Sequence, residues 1–402
     1  MARNASAPKK PYRGLGAKGR SGAYAALDLG TNNCRLLIAD RAGDSFRVLD
    51  SYSRIVRLGE GLAGSGRLSD AAMARAIEAL KNCKSKIDKY HKCQVRCIAT
   101  QACRIATNGP EFLQEVKRAT GLKLDTISPK EEAKLALLGS LDLVDNSKDF
   151  TLVVDIGGGS TELSWVDAKA ANRRGVSGSA ARPPILGWAS FPVGVVTLSE
   201  TFPEGASGGD PLWYDKLVAY VVEMLRKNDA AGRFGPLFEA GRGQLLGTSG
   251  TVTSLAAVHL GLSKYTRAAV DGVWVSQEGM DAARDKLRYA TPEKRALEPC
   301  IGPDRAELVL AGCAILDAVW QVWPSERLRA ADRGLREGVL LSLIHGPKPA
   351  QKKKRSRNNK SKTDGAEKAG PKGKRKPKDK VVEGVVADKD HKPSSDKQAK
   401  SK

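Results

Sequence analysis

Two short glycine-containing turns constrain the fold of this chain more than any other feature. One reads D-L-G-T-N-N from Asp28 to Asn33, and the other reads D-I-G-G-G-S-T-E from Asp155 to Glu162. Each turn lies between two short apolar runs, which predicts a strand, a tight turn and a second strand. Such a turn exposes backbone N–H groups that can bind phosphate. Two of these hairpins about 130 residues apart predict two similar half-domains that face each other across a cleft.

A third loop of small residues, T-S-G-T-V-T-S, follows a short predicted strand and opens a predicted helix. It could be only a helix cap, or it could face a nucleotide or the end of a polyphosphate chain. In the second case Thr248, Ser249 and Gly250 would bind phosphate. His259, in the apolar helix that follows, is predicted to be a core residue and not a ligand.

The charge of the chain is concentrated at its two ends. The 402 residues carry a formal net charge of +22, yet the middle of the chain is nearly neutral, with 41 basic and 38 acidic residues. Residues 1–22 hold 6 Lys or Arg and no acid, and residues 346–402 hold 20 basic and 7 acidic residues. Both segments contain too little apolar surface to offset the entropy of ordering, so we predict that both are disordered.

Two interpretations of the lysine-rich tail stay open. A charged, structureless end can simply keep a protein soluble. Alternatively, the tail contacts a polyanion such as polyphosphate or RNA, and that contact would weaken as salt is added.

Strands and helices are predicted to alternate between the two basic ends, which indicates the α/β class. We expect one domain over residues 23–145 and a second over residues 146–345. The last helix, 334–345, could pack back on the first domain. Residues 168–184 are rich in Gly, Ser, Ala and Arg and are predicted to form a loose hairpin insertion.

The sequence predicts a cytoplasmic protein without a membrane span. It contains no run of 18 apolar residues, and its basic N-terminus lacks the apolar segment of a secretory signal. Its seven cysteines are an odd number without an export signal, which is typical of free thiols in a reducing compartment.

Seven motifs occur in a characteristic order along the chain. They are A-L-D-L-G-T-N-N-C-R-L-L-I (Ala26–Ile38), A-T-Q-A-C-R-I-A-T-N (Ala99–Asn108), E-E-A (Glu131–Ala133), V-D-I-G-G-G-S-T-E-L (Val154–Leu163), L-G-T-S-G-T-V-T-S-L (Leu246–Leu255), D-R-A-E (Asp304–Glu307) and D-R-G-L-R-E-G (Asp332–Gly338). Together they resemble the exopolyphosphatase and guanosine-pentaphosphate phosphatase (Ppx/GppA) family over about residues 23–345. The resemblance implies two actin-like domains of the ribonuclease H-like (ASKHA) type around a central cleft. The resemblance is to the short, two-domain members, so the fold is expected to end near His345 without the extra helical domain of long members, and the chain could form a homodimer.

The resemblance assigns roles to individual residues. Its phosphate-binding positions fall on Gly30, Thr31, Asn32, Asn33, Arg35, Gly157, Gly158, Gly159 and Ser160. Its catalytic carboxylate falls on Glu132 and its motif arginine on Arg104. Asp28, Asp155 and Glu162 could hold Mg²⁺ directly or through water, because Mg²⁺ prefers oxygen ligands. Two positions depart from the family pattern: Pro129 stands where the family has Gly, and Asn33 replaces a Ser.

These residues fit the hydrolysis of a phosphoanhydride, in which phosphate charge is stabilised and a water is aligned and deprotonated. Arginines such as Arg35 and Arg104 can bind phosphate oxygens, and Glu132 could act on the water. Without a catalytic role, a Glu in a first helical turn still favours the helix dipole, and Glu162 could be a structural carboxylate.

The resemblance therefore predicts a hydrolase of polyphosphate or guanosine pentaphosphate. A sugar-kinase-like phosphotransferase and a non-enzymatic binder of polyphosphate, alarmone or RNA remain as alternatives, since fold alone does not fix function.

Overall fold

The computed structural model describes residues 22–207 and 210–346. The predictions of terminal disorder and of polyanion contact by the tail concern segments that lie almost entirely outside these residues. The strands are β1 (Tyr24–Leu29), β2 (Asn33–Ala42), β3 (Ser45–Ile55), β4 (Gln94–Ala99), β5 (Leu124–Thr126), β6 (Phe150–Ile156), β7 (Thr161–Asp167), β8 (Ile185–Phe191), β9 (Gly243–Thr248), β10 (Trp274–Ser276) and β11 (Arg327–Ala331).

Helices alternate with these strands. They are α1 (Leu62–Ser65), α2 (Asp70–Ile87), α3 (Gln101–Ile105), α4 (Gly109–Thr120), α5 (Pro129–Ser140), α6 (Ala168–Ala181), α7 (Val195–Thr201), α8 (Trp213–Arg226), α9 (Asp229–Glu239), α10 (Gly250–His259), α11 (Arg267–Val270), α12 (Gln277–Arg288), α13 (Pro292–Ala296), α14 (Pro303–Ala306), α15 (Val309–Val322) and α16 (Leu335–His345). None of the helices within the described ranges has the length and apolar composition needed to cross a membrane.

The first domain is built on a five-stranded mixed sheet with the strand order β3-β2-β1-β4-β5. Strand β1 pairs antiparallel with β2 and parallel with β4, so it lies at the centre. Five of its six residues are buried, as expected for a strand covered on both faces. One face of the sheet packs against α2 and α4, and the other packs against α5 and α16.

The second domain repeats this plan in a six-stranded sheet with the order β10-β11-β9-β6-β7-β8. Strand β6 takes the place of β1, because it pairs antiparallel with β7 and parallel with β9. The core includes Trp165, which stacks on Phe234 at 4.9 Å between ring centroids and meets Trp323 edge-on at 5.2 Å. The matching strand orders confirm the predicted α/β fold with two similar halves.

Helices α5 and α16 cross with their backbones in contact. A Cβ atom added to Gly139 would lie 1.9 Å from the Gly334 carbonyl oxygen, and one added to Gly338 would lie 1.9 Å from the Leu135 carbonyl oxygen. Glycine is therefore required at both positions, because no side chain fits between the helices. Leu135 packs with Val339 and with residues of the first sheet, so the crossing fastens the last helix to the first domain.

Replacement of Gly338 by alanine should destabilise the protein by about 1–3 kcal/mol or more, since the new methyl group would overlap the Leu135 carbonyl. Gly232 is the matched control, because it also lies inside a helix and an added Cβ there meets no atom within 4 Å. Gly232→Ala should leave the protein equally or slightly more stable, since alanine favours helix. The thermal unfolding midpoints of the two variants are compared. Equal midpoints would contradict a close crossing of α5 and α16.

Two local predictions were wrong. Residues 168–184 do not form a hairpin, because Ala168–Ala181 is helical with a break at Gly175 (φ 59°). The Asp167 carboxylate caps this helix by accepting a hydrogen bond from the Ala170 N–H at 2.7 Å. His259 is exposed at the end of α10 and is not a core residue, because the apolar face of α10 ends one residue earlier.

Candidate functional site

The two predicted glycine loops touch each other where the domains meet. A Cβ atom added to Gly158 would lie 3.0 Å from the Asn32 nitrogen and 3.0 Å from Thr31 Cβ. One added to Gly159 would lie 3.0 Å from Thr31 Oγ1. The two hairpins, far apart in sequence, therefore form the two walls of one narrow cleft.

A cavity of about 400 Å³ opens beside this contact. All of the predicted site residues except Arg104 and Glu162 line it; these are Asp28, Gly30, Thr31, Asn32, Asn33, Arg35, Glu132, Asp155, Gly157, Gly158, Gly159, Ser160, Thr248, Ser249 and Gly250. The fold thus brings residues from four separate segments of the chain to one place.

Both glycine turns are closed by the same backbone hydrogen bond. The Gly30 N–H donates to the Asn33 carbonyl at 2.9 Å, and the Gly157 N–H donates to the Ser160 carbonyl at 2.8 Å. The N–H groups inside each turn make no hydrogen bond within the described part of the chain. They are therefore available to an anion in the cavity.

The carbonyl groups of the same turns accept hydrogen bonds from neighbouring backbone segments. The Thr31 and Asn32 carbonyls accept hydrogen bonds of 2.9–3.0 Å from N–H groups in residues 56–59. The Gly157 and Gly158 carbonyls accept bonds of 3.0 and 2.7 Å from the first N–H groups of α7. Because the carbonyls are occupied, each loop is fixed and presents donors to the cavity.

The third loop also carries unsatisfied polar groups. Ser249 has φ 131°, which is rare for a residue other than glycine, and its buried hydroxyl has no hydrogen-bond partner. Strained residues of this kind are frequent at ligand sites. Ser249 precedes the ten-residue helix α10, for which no side chain caps the N-terminus. The free N–H groups of the first turn of α10 are thus directed to the cavity, an arrangement that suits an anion.

Three buried carboxylates and the half-buried Asp155 lie around the cavity. Burial raises the pKa of Asp28 to about 6, and burial followed by the charge of Asp155 raises the pKa of Glu162 to about 7. Burial and then the Glu162 charge raise the pKa of Glu132 well above its usual range. Burial also raises the pKa of Asp155. Such a cluster of acids is costly unless cations compensate it.

Glu132 faces the cavity from the first turn of α5. The Ser128 hydroxyl caps this helix by accepting a hydrogen bond from the Glu131 N–H at 3.2 Å, and Pro129 occupies the first helical position, where it is well tolerated. Arg104 Nη1 lies 3.4 Å from Glu132 Oε2 and donates to the Ile127 carbonyl at 2.8 Å. Arg104 therefore contacts the carboxylate from outside the cavity.

The carboxylates fit a magnesium ion that takes only one or two of its ligands from the protein. Among the described residues, no group of three or more His, Cys, Asp or Glu side chains is close enough to hold a metal by itself. Mg²⁺, however, commonly takes one or two carboxylates together with phosphate oxygens and waters. Asp28 and Asp155 face the cavity, and the buried Asp28 Oδ1 lacks a hydrogen-bond partner. Glu162 is partly engaged, since its Oε1 accepts the Ser190 hydroxyl at 2.9 Å.

Three further arginines line the cavity without having been assigned a role from the sequence, and one of them, Arg333, is already ion-paired with Asp271 and Asp142. Arg305 lies in α14 and donates to the Ser254 hydroxyl at 2.9 Å. Arg336 belongs to the first turn of α16. All three lie in the D-R-A-E and D-R-G-L-R-E-G motifs, which could have drawn attention to them. No local pattern, however, shows that these segments return to the cleft.

Comparison with known proteins agrees with this arrangement. A model of the Ppx/GppA phosphatase family matches residues 37–346. An exopolyphosphatase-like protein of known structure is 29% identical, with a TM-score of 0.67 over 80% of this chain and 97% of that chain. A Ppx/GppA family member from Aquifex aeolicus is 28% identical, with a TM-score of 0.61 over the same shares. An exopolyphosphatase from Cytophaga hutchinsonii, 23% identical with a TM-score of 0.67 over 81% and 99%, has the same fold. Since the family model covers most of the chain, this protein belongs to the Ppx/GppA phosphatase family.

Proposed function

We propose that this protein is a phosphoanhydride hydrolase that removes terminal phosphates from inorganic polyphosphate or the 5′-phosphate of guanosine pentaphosphate. The observation that supports this most directly is the meeting of two glycine loops, with unbonded N–H groups, at a cavity that Glu132 also faces. The similarity to an exopolyphosphatase-like protein and to a Ppx/GppA family member of known structure supports a phosphoanhydride substrate. Family membership favours hydrolysis over phosphotransfer or binding alone.

Each part of the site has a role in this reaction. The loop N–H groups and Arg35 bind the phosphate oxygens and stabilise the charge that develops during transfer. Asp28 and Asp155 would hold Mg²⁺, with Glu162 beside them, and the bound ion would neutralise phosphate charge. Glu132 aligns a water and accepts its proton, and a raised pKa makes this carboxylate a stronger base. Arg104 orients Glu132 through the 3.4 Å contact.

Phosphate release from the purified full-length protein tests the proposal. Long-chain polyphosphate and guanosine pentaphosphate are compared side by side, with Mg²⁺ and with EDTA. We expect Mg²⁺-dependent release of inorganic phosphate from at least one of the two. Tight binding of both without release, or transfer of phosphate to a sugar instead of water, would contradict the proposed activity.

The basic tail should increase the affinity for long polyanions, because a strongly basic segment raises the local concentration of a polyanion. Deletion of residues 346–402 should leave turnover of short substrates unchanged. The affinity for long polyphosphate should fall, and its dependence on salt should become weaker. Binding of long polyphosphate by the full-length and the truncated protein is measured across about 50–300 mM salt. Identical curves would mean that the tail serves only solubility.

We also propose that the protein acts in the cytosol. All seven cysteines are free thiols, and six of them are buried. The Sγ atoms of Cys34 and Cys83 lie 3.9 Å apart and share a hydrogen bond without forming a disulfide, as expected in a reducing compartment.

A further inference from the structure

Arg336 is a buried cation that the mechanism above does not use. It lies in the first turn of α16, its side chain is only 16% exposed, and it lines the cavity. A guanidinium has five N–H donors and keeps its charge in proteins. Removing such a group from water is costly unless a partner replaces the water.

The protein itself does not supply that partner. The nearest carboxylate oxygen is Glu337 Oε1 at 3.8 Å from Arg336 Nη2, which is too long for a hydrogen bond. No hydrogen bond to the Arg336 guanidinium exists within the residues that the structure describes. Its donors therefore remain free beside the cavity.

Glu337 is already engaged by other groups. Its Oε1 accepts a hydrogen bond of 2.9 Å from Arg267 Nη2, and its Oε2 accepts one of 2.9 Å from the Gly334 N–H. Arg267 does not line the cavity. The two oxygens of Glu337 are thus hydrogen-bonded by Arg267 and by the Gly334 N–H, and Arg336 pairs with Glu337 at 3.8 Å without donating a hydrogen bond to it.

Arg336 also lies near Arg35 at the first glycine loop. The charges of Arg35 and Arg336 both lower the pKa of Asp28, against the larger effect of burial, so both guanidiniums are close to this carboxylate. Arg35 makes no ion pair in the described part of the chain. Within the ranges that the structure describes, neither guanidinium forms an ion pair with Asp28 within 4 Å, so the N–H donors of both stay available to phosphate oxygens in the cavity.

We propose that Arg336 is a further phosphate-binding residue, contributed by the last helix, which binds phosphoryl oxygens in the cavity together with Arg35. The assignment rests on the proposed function, because it takes a phosphoanhydride as the ligand. The planar guanidinium can bind two oxygens of one phosphate. In this way α16 completes a site whose other donors come from the two glycine loops and α10.

Binding of tripolyphosphate with Mg²⁺, measured by calorimetry in the Glu132→Gln protein, tests the assignment. Adding Arg336→Gln should weaken binding about 10- to 100-fold, because hydrogen bonds to charged groups are lost. The matched control is Arg267→Gln, which removes the closer partner of Glu337 but no group that faces the cavity. It should change affinity much less than Arg336→Gln does. Equal losses in both variants would show that Arg336 acts only through Glu337, and unchanged affinity in Arg336→Gln would also overturn the proposal.

A second measurement avoids the variant altogether, in case Arg336→Gln does not fold. Phenylglyoxal modifies accessible arginines, and mass spectrometry reports modification at each site. Tripolyphosphate with Mg²⁺ should protect Arg336 and should leave the exposed Arg118 unprotected. Modification of Arg336 to the same measurable extent with and without the ligand would contradict the assignment. Hydrolysis by the wild-type protein is measured separately. If the wild-type protein binds tripolyphosphate but does not hydrolyse it, that result contradicts the proposed function and not the role of Arg336 in binding.

Discussion

Glu132→Gln should lower kcat for phosphate release by about 10²–10⁴-fold, the usual contribution of a general base. The amide has the same shape as the carboxylate but cannot accept a proton. It can still accept the hydrogen bond from Arg104, so the side chain should keep its position. Substrate affinity should therefore change little. Steady-state kinetics together with equilibrium binding separate the two effects.

Glu131 is the matched control for this prediction. It lies in the same first turn of α5, but its Oε1 is 3.2 Å from Arg96 Nη2 and it does not line the cavity. Glu131→Gln should retain nearly full activity. If Glu131→Gln were inactive and Glu132→Gln active, the base would have been assigned to the wrong carboxylate.

Gly158→Val should abolish activity while the protein stays folded. Even the first carbon of a side chain at this position would lie 3.0 Å from the Asn32 nitrogen, so a branched side chain would hold the two loops apart. The loop N–H groups could then no longer converge on one phosphate. Activity assays are paired with circular dichroism to show that the fold is retained.

A graded series strengthens this test. Gly158→Ala adds only the Cβ atom, which requires the first loop to move by a few tenths of an ångström. We expect it to keep part of the activity with a raised KM. A normal KM in Gly158→Val would rule out the contact between the loops as a requirement for phosphate binding.

Much of the fold could be predicted because its signals are local. The strand, turn and strand around Asp28 and around Asp155 are encoded in short runs of apolar residues and glycine. The start of α5 is likewise encoded by Ser128 and Pro129, which cap and open the helix. These features require no knowledge of the rest of the chain.

Other features depend on contacts that no short segment contains. Arg104 lies behind Glu132 only because α3 packs beside the segment that leads into α5. Arg336 reaches the cavity only because α16 returns to the first domain. The helix at Ala168–Ala181 was missed because its glycines and serines resemble a loop, whereas burial of its alanines stabilises it. In each of these three examples, tertiary packing and not the local sequence determines the observed structure.

The glycine crossing of α5 and α16 limits how the cleft can open. Because backbone meets backbone at Gly139 and Gly338, the two helices have little room to approach or slide, and the crossing can serve as a pivot. Movement of the domains would then change the angle between the glycine loops far more than the spacing between α5 and α16. Glu132 and Arg336, which these helices carry, should keep their separation while substrate enters and product leaves.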